Sequence, residues 1–70
     1  LAPAVMNAAN EVAVAAFLDG EIPWVGIADV LKAVLDRHDG TRATSVDVVI
    51  DVDRRARDVA RDVIERTYRA

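Results

Sequence analysis

Residues 3–18 read PAVMNAANEVAVAAFL, and this stretch decides the fold of the 70-residue chain. With helical spacing, Asn7, Asn10 and Glu11 fall at positions i, i+3 and i+4, so their side chains share one face. Leu18 continues that face in apolar form, and the other faces carry mostly small or apolar side chains. Such a helix must be covered on several sides, and a short chain has little material to cover it. The stretch therefore predicts a helix and indicates a neighbour beyond this chain.

Composition and length limit the classes of protein to which this chain can belong. The chain is long enough for one domain, residues 1–70, with a small core that no disulfide can reinforce because cysteine is absent. Ala, Val, Asp and Arg dominate, which is typical of a helical bundle whose small side chains let helices approach closely. The longest apolar stretch is interrupted by Asp19 and Gly20 and is too short to span a bilayer. We expect a soluble, cytoplasmic domain without membrane contact.

Charge is distributed unevenly along the chain, which raises the question of nucleic-acid binding. Residues 1–53 hold three basic and nine acidic residues, net −6, whereas residues 54–70 hold six arginines and three acids, net +3. Acids and arginines alternate at i, i+4 spacing in the second part, as in Arg54–Asp58 and Asp62–Arg66. A nucleic-acid surface requires basic residues without interleaved acids. We therefore interpret this segment as a solvated helix face and expect no nucleic-acid partner.

Start and stop signals divide the first half of the chain into two helices. The first is predicted to begin near Pro3, which suits an opening turn, and to end at Asp19–Gly20, where glycine can adopt a left-handed cap. A connector follows. The second is predicted from Trp24 or Val25 to near His38–Gly40, because apolar residues recur at helical spacing.

The second half is predicted to contain a short helix and a final long helix. Thr44 precedes Asp47 by three residues, like a capping box, and opens a short helix through Ile50. Asp51 or Asp53 can then cap a final helix. The β-branched run from Ser45 to Val52 could also form a strand, but an isolated strand would have no partner. The expected fold class is therefore all-α, a bundle of three to four helices.

A search for chemistry finds no catalytic, cofactor-binding or metal-binding residue. His38 is the sole histidine, and its acidic neighbours do not converge on one helical face, so we interpret it as a solvated or helix-capping residue. The pair Asp51 and Asp53 lacks the oxygens and the glycine of a calcium loop. Trp24 precedes a helix, where an aromatic usually packs against the first turns as a staple. We expect that role rather than stacking on a ligand.

One set of residues carries a family resemblance. The string PAVMNAANE at residues 3–11, with AVAAFL at residues 13–18, closely resembles the C-terminal part of 1-deoxy-D-xylulose 5-phosphate reductoisomerase. The resemblance continues through Gly20, Ile22, Trp24, Ile27, the segment 45–50, Asp53, Ala56, Arg57 and Ala60. It covers essentially the whole chain, although its specific signal lies in the first half. Trp24 stands where the family often has Phe.

This resemblance implies a reaction that the chain does not perform alone. Family enzymes convert 1-deoxy-D-xylulose 5-phosphate to 2-C-methyl-D-erythritol 4-phosphate in the non-mevalonate route to isoprenoids, using NADPH and a divalent metal, Mg or Mn. Their cofactor, metal and substrate residues precede this segment, so none is carried onto it. The family places a small helical bundle here that buttresses the catalytic domain. We expect the parent enzyme to be a homodimer and the isolated chain to self-associate.

Within that bundle, we predict that Asn7, Asn10 and Glu11 dock the domain onto the catalytic domain. The alternative is that the two amides satisfy local backbone groups. Two other classes of function remain open, a free-standing helical adaptor and a regulatory or antitoxin-like protein. Either one requires the match at residues 3–18 to be coincidental.

Overall fold

The computed structural model describes residues 2–38 and 46–68, and within these ranges it has three helices. They are α1 (Ala2–Leu18), α2 (Gly26–Arg37) and α3 (Val46–Tyr68). The all-α prediction is confirmed, and the described part of the run considered as a strand, residues 46–52, is helical. Thr44 and Ser45, which entered the capping-box and strand predictions, lie outside the described residues.

Helix α1 ends as its sequence predicts. Gly20 has a φ of 76°, the left-handed conformation in which a side chain would be strained. The Gly20 N–H donates to the Phe17 carbonyl at 3.0 Å, and the Glu21 N–H donates to the Ala16 carbonyl at 2.8 Å. These bonds satisfy carbonyls that have no partner within the helix, so the glycine closes α1 and turns the chain.

Helix α2 lies within the predicted range and presents one apolar side to the core. It begins at Gly26 after Val25, whose φ of −63° and ψ of −21° are already helical. Val30 and Val34 are buried, whereas the charged residues between them face outward. At the far end the His38 N–H donates to the Leu35 carbonyl at 3.0 Å, so the predicted capping position of His38 is confirmed.

The predicted break near Asp51 or Asp53 is wrong, because α3 is one continuous helix of 23 residues. Neither carboxylate caps a new helix. Asp51 pairs with Arg55 at 3.2 Å and Asp53 pairs with Arg57 at 2.7 Å, in both cases one turn further along the same helix. Val52 between them is buried, so the apolar side of α3 passes through the predicted boundary without interruption.

The core is built mainly from alanine and valine side chains of all three helices, together with Ile22 of the connector between α1 and α2. Its buried members are Val5, Ala8, Ala9, Ala13, Ala16, Ile22, Val30, Val34, Val52, Ala56, Ala60, Val63 and Ile64. Among the described residues, no polar or charged residue is buried. Residues near the N-terminal ends of α1 and α3 line one cavity, and residues further along both helices line a second. The two helices therefore run in the same direction, with α2 as the antiparallel third member.

Candidate domain-docking surface

The amide side chains singled out from the sequence lie on the outer face of α1. Asn7 and Asn10 are exposed, as is Met6 beside them, while Ala8 and Ala9 on the opposite side are fully buried. Among the described residues, neither amide has a hydrogen-bond partner. The bundle therefore does not support the alternative in which these amides satisfy local backbone groups. Both amides are available to a partner surface.

Glu11, the third predicted docking residue, is used inside the bundle. Its carboxylate contacts the Arg57 guanidinium of α3 at 2.8 Å, and Arg57 is also bound by Asp53 at 2.7 Å. These carboxylates raise the pKa of Arg57 above its ordinary value, the hydrogen bond from Asp53 contributing most and that from Glu11 next. Glu11 keeps 55% of its side chain exposed, so it joins α1 to α3 while remaining on the outer face.

Arg57 is a residue that sequence reasoning did not single out for this role. Its spacing from Asp53 is visible in the sequence as an i, i+4 pair. Its contact with Glu11 joins two segments of the chain that are 46 positions apart, and no local pattern indicates such a pair. Only the packing of α1 on α3 brings the two groups together.

A second ion-pair cluster joins α2 to α3. The carboxylate of Asp62 accepts hydrogen bonds from Arg66 at 2.9 Å and from Arg37 at 3.2 Å. These bonds lower the pKa of Asp62, with Arg66 the larger cause and Arg37 the next. The predicted pair Asp62–Arg66 is thereby confirmed, and Arg37 extends it across the helix interface.

Trp24 does not pack as the predicted staple. Its side chain is 71% exposed, whereas Ile22, two residues earlier, is 3% exposed and fills the space between the helices. The backbone explains why Ile22 is buried and Trp24 is exposed. In a tight turn, the Pro23 and Trp24 carbonyls accept hydrogen bonds from the N–H groups of Gly26 and Ile27. That turn directs Ile22 inward and leaves the indole on the surface.

Two concave regions lie on the bundle. A cavity of about 120 Å³ has a mainly apolar lining from all three helices, with Arg37, His38 and Arg55 among the residues around it. A groove of about 250 Å³ runs between α1 and α3 and is bordered by Asp19, Glu21 and Arg61. Both arginines at the cavity are engaged in ion pairs, Arg37 with Asp62 and Arg55 with Asp51.

The described residues do not form a site for a metal ion or a nucleotide. No group of three His, Asp or Glu side chains within residues 2–38 and 46–68 is placed to hold a metal. Gly20 closes α1, and Gly26 packs against Tyr68, so neither glycine belongs to a phosphate-binding loop. The described helices also include none with the length and apolar character needed to cross a membrane. The outward amides and the exposed Trp24 thus remain as the candidate contact surface.

A three-helix bundle with unpartnered amides on one face and apolar side chains at one end is a small all-α domain suited to contact another protein surface. Comparison with known proteins identifies the particular family. Residues 1–59 match the family described as the DXP reductoisomerase C-terminal domain. The chain belongs to this family.

Full-length relatives give the same result. The chain is 52% identical over 60 residues to a 1-deoxy-D-xylulose 5-phosphate reductoisomerase of Symbiobacterium thermophilum, over 86% of this chain and 16% of the relative. The enzyme of the same name from Pseudomonas syringae pv. tomato is 48% identical over 68 residues, covering 97% of this chain and 17% of the relative. This chain thus spans about one sixth of the length of these relatives. No solved structure matches it.

Proposed function

We propose that this bundle buttresses the catalytic domain of an NADPH-dependent 1-deoxy-D-xylulose 5-phosphate reductoisomerase, a cytoplasmic and homodimeric enzyme of isoprenoid biosynthesis. Family membership carries this proposal, because residues 1–59 match the C-terminal domain of that family. The relatives named as this enzyme are about six times longer than the matched segment, which leaves most of their length for the chemistry.

The cofactors of the reaction, NADPH and Mg or Mn, belong in this proposal to the rest of the enzyme. The described residues do not fit either group, since they include no metal-binding cluster and their glycines serve the turn after α1 and the packing of α2. We therefore assign no step of the reaction to this chain and expect the isolated chain to be inactive as a reductoisomerase. No observation specifically favours the alternative function, a free-standing helical adaptor.

Docking is proposed to run through Asn7, Asn10 and Glu11. Two exposed amides without partners in the described bundle are suited to hydrogen-bond a second surface. Glu11 is held by Arg57, so its carboxylate reaches that surface in a defined position. The three side chains share one face of α1, and a single opposing surface can contact all of them.

The test compares substitutions in the full-length enzyme and in the isolated chain. In the enzyme, Asn7→Ala or Asn10→Ala leaves a desolvated partner group unpaired, and we expect a loss of roughly 1–3 kcal/mol in unfolding free energy together with lower activity. In the isolated chain, where both amides are exposed, we expect a change of at most about 0.5 kcal/mol. Calorimetry of both proteins measures the difference.

Two controls make the comparison specific. Glu11→Gln weakens the contact with Arg57 inside the bundle, so it should destabilise the isolated chain as well as the enzyme, with the larger loss in the enzyme, where Glu11 also docks. Lys32→Ala removes an exposed side chain on α2 that pairs with Asp36 at 3.5 Å, and it should change neither protein appreciably. Equal effects of the two Asn substitutions in the enzyme and in the isolated chain would contradict the docking role.

A further inference from the structure

The three most exposed large apolar side chains of the described residues lie at one end of the bundle. Leu18 is 75% exposed, Trp24 is 71% exposed and Val25 is 65% exposed. Leu18 is the last residue of α1, and Trp24 and Val25 immediately precede α2, so the α1–α2 turn brings them to the same end. We refer to these three residues as the apolar end. Exposed apolar groups gathered in this way are typical of a contact surface.

The backbone that carries the apolar end is held in place. The N–H groups of Asp19, Gly20 and Glu21 bond back to α1, and those of Gly26 and Ile27 bond to the connector. Ile22 anchors the middle of the connector in the core. A side chain displayed on a backbone fixed in this way loses little conformational entropy when it binds, and such aromatic groups commonly dominate an interface.

We propose that the apolar end docks into an apolar surface with basic groups at its edge, located on the part of the reductoisomerase polypeptide outside this chain. This inference rests on the proposed function and specifies a second contact, separate from the amides of α1. About five sixths of the length of the relatives lies outside the matched segment, which supplies a partner surface of ample size.

The acidic residues near the apolar end indicate the charge expected on the partner surface. Residues 19–31 contain three carboxylates and no Lys or Arg, so the turn and the start of α2 are acidic. The neighbouring groove adds Glu65 and a single arginine, Arg61, from α3. An opposing surface with Lys or Arg around an apolar centre complements this arrangement.

A second copy of the bundle is a poorer occupant of the apolar end. Two copies meeting through it would bring Asp19 and Glu21 of both chains to one interface, where like charges oppose association. The other end of the bundle also exposes apolar groups, but less so, with Ile50 at 52% and Met6 at 40%. Ile50 therefore serves as a matched control position.

Photo-crosslinking in the full-length enzyme tests the proposal directly. The substitution Trp24→benzoylphenylalanine places a photoreactive aromatic at the apolar end, and Ile50→benzoylphenylalanine places it at the opposite end. Mass spectrometry of a mixture of isotopically labelled and unlabelled enzyme identifies the linked peptides. We expect position 24 to link to peptides outside the 70-residue segment at about tenfold higher yield than position 50, because hot-spot side chains lie at the closely packed centre of an interface.

Two results would overturn this inference. One is a yield from position 24 no higher than that from position 50. The other is a link from position 24 to the 70-residue segment of a differently labelled copy, which would assign the apolar end to a second bundle. Either result leaves the proposed docking through Asn7 and Asn10 intact, provided that benzoylphenylalanine at position 10 links to the rest of the enzyme.

Thermal unfolding separates failure of this inference from failure of the proposed function. We expect the wild-type enzyme to unfold in one transition, and Trp24→Ala to lower its Tm by about 2–4 °C while Ile50→Ala does not. One transition with an unchanged Tm for Trp24→Ala would overturn only the role of the apolar end. Two independent wild-type transitions, one at the Tm of the isolated chain, would overturn the proposed function itself.

Discussion

Two glycines shape the α1–α2 end of the bundle for different physical reasons. Gly20 adopts a φ of 76°, and apart from the glycine and its two chain neighbours no described residue has an atom within 4 Å of the place a Cβ would take, so backbone conformation alone requires glycine there. Gly26 has no such conformation, but a Cβ at this position would lie 2.7 Å from the Tyr68 hydroxyl oxygen. An alanine at position 26 would therefore require the outer part of the Tyr68 side chain, at the end of α3, to shift.

Substitution of the two glycines distinguishes these reasons. We expect Gly26→Ala to destabilise the bundle by no more than about 1 kcal/mol, because the end of the Tyr68 side chain can shift, and Tyr68→Phe to recover part of that loss by removing the closest atom. Gly20→Ala should cost about 1–2 kcal/mol through left-handed backbone strain, with no dependence on Tyr68. Chemical unfolding of the double-mutant cycles measures both couplings. Equal coupling of Tyr68 to the two glycines would contradict this assignment.

Asp62 makes stability depend on pH in the acid range. Its pKa in the folded protein is lowered from the ordinary value of 3.8, first by the hydrogen bond from Arg66 and then by that from Arg37. A carboxylate with a lowered pKa contributes stability above its unfolded pKa, and this contribution is lost as pH falls through the folded pKa. The loss therefore occurs at and below about pH 4.

The expected result is a steeper acid decline in the wild-type chain than in Asp62→Asn. Asparagine cannot titrate, so the variant should be less stable at neutral pH, and the difference between the two should shrink as pH falls below 3.8. Thermal unfolding followed by circular dichroism from pH 7 to about pH 2 measures both curves. Parallel curves would show that Asp62 contributes no pH-dependent stability.

At the scale of helices, small side chains bring α1 against its neighbours. Ala8, Ala9 and Ala13 on α1 and Ala60 on α3 are fully buried, and Val30 is the largest side chain buried to that degree. Closely approaching helices leave no room for larger groups, because packing in protein cores is dense. The alanines thus specify the spacing of the helices as much as the apolar character of the core.

Enlarging one buried alanine should be costly, whereas the same change on the exposed side of α1 should not. We expect Ala13→Leu to destabilise the isolated chain by about 1–3 kcal/mol, because the added atoms force the helices apart. Ala15→Leu makes the same chemical change at an exposed position of that helix and should alter stability by no more than about 0.5 kcal/mol. Urea unfolding measures both, and similar losses would contradict close helix packing.

At the scale of the whole molecule, the isolated chain exposes to solvent the surfaces that we propose contact the rest of the enzyme. Leu18, Trp24 and Val25 are then in water, so we expect self-association at high protein concentration, which the like charges of Asp19 and Glu21 keep weak. Sedimentation equilibrium of the wild-type chain and of Trp24→Ala measures it, and the variant should associate less. Strictly monomeric behaviour of the wild-type chain at high concentration would contradict this expectation.

Sequence patterns determined the helices because their causes are local. The left-handed turn at Gly20, the apolar stripe of α2 and the outward face with Asn7 and Asn10 all follow from spacing within one or two turns. The family also followed from the sequence, because the pattern of residues 3–18 resembles it and the family match covers residues 1–59.

Only the tertiary structure decided the features that depend on neighbouring helices. The helix through Asp51 and Asp53 is continuous because Val52 between them is buried on the core side, although both aspartates are good capping residues. The contact of Glu11 with Arg57 and the exposure of Trp24 depend on how α1, the connector and α3 meet in space. Propensity is a property of a segment, whereas burial and long-range ion pairing arise only after the segments pack.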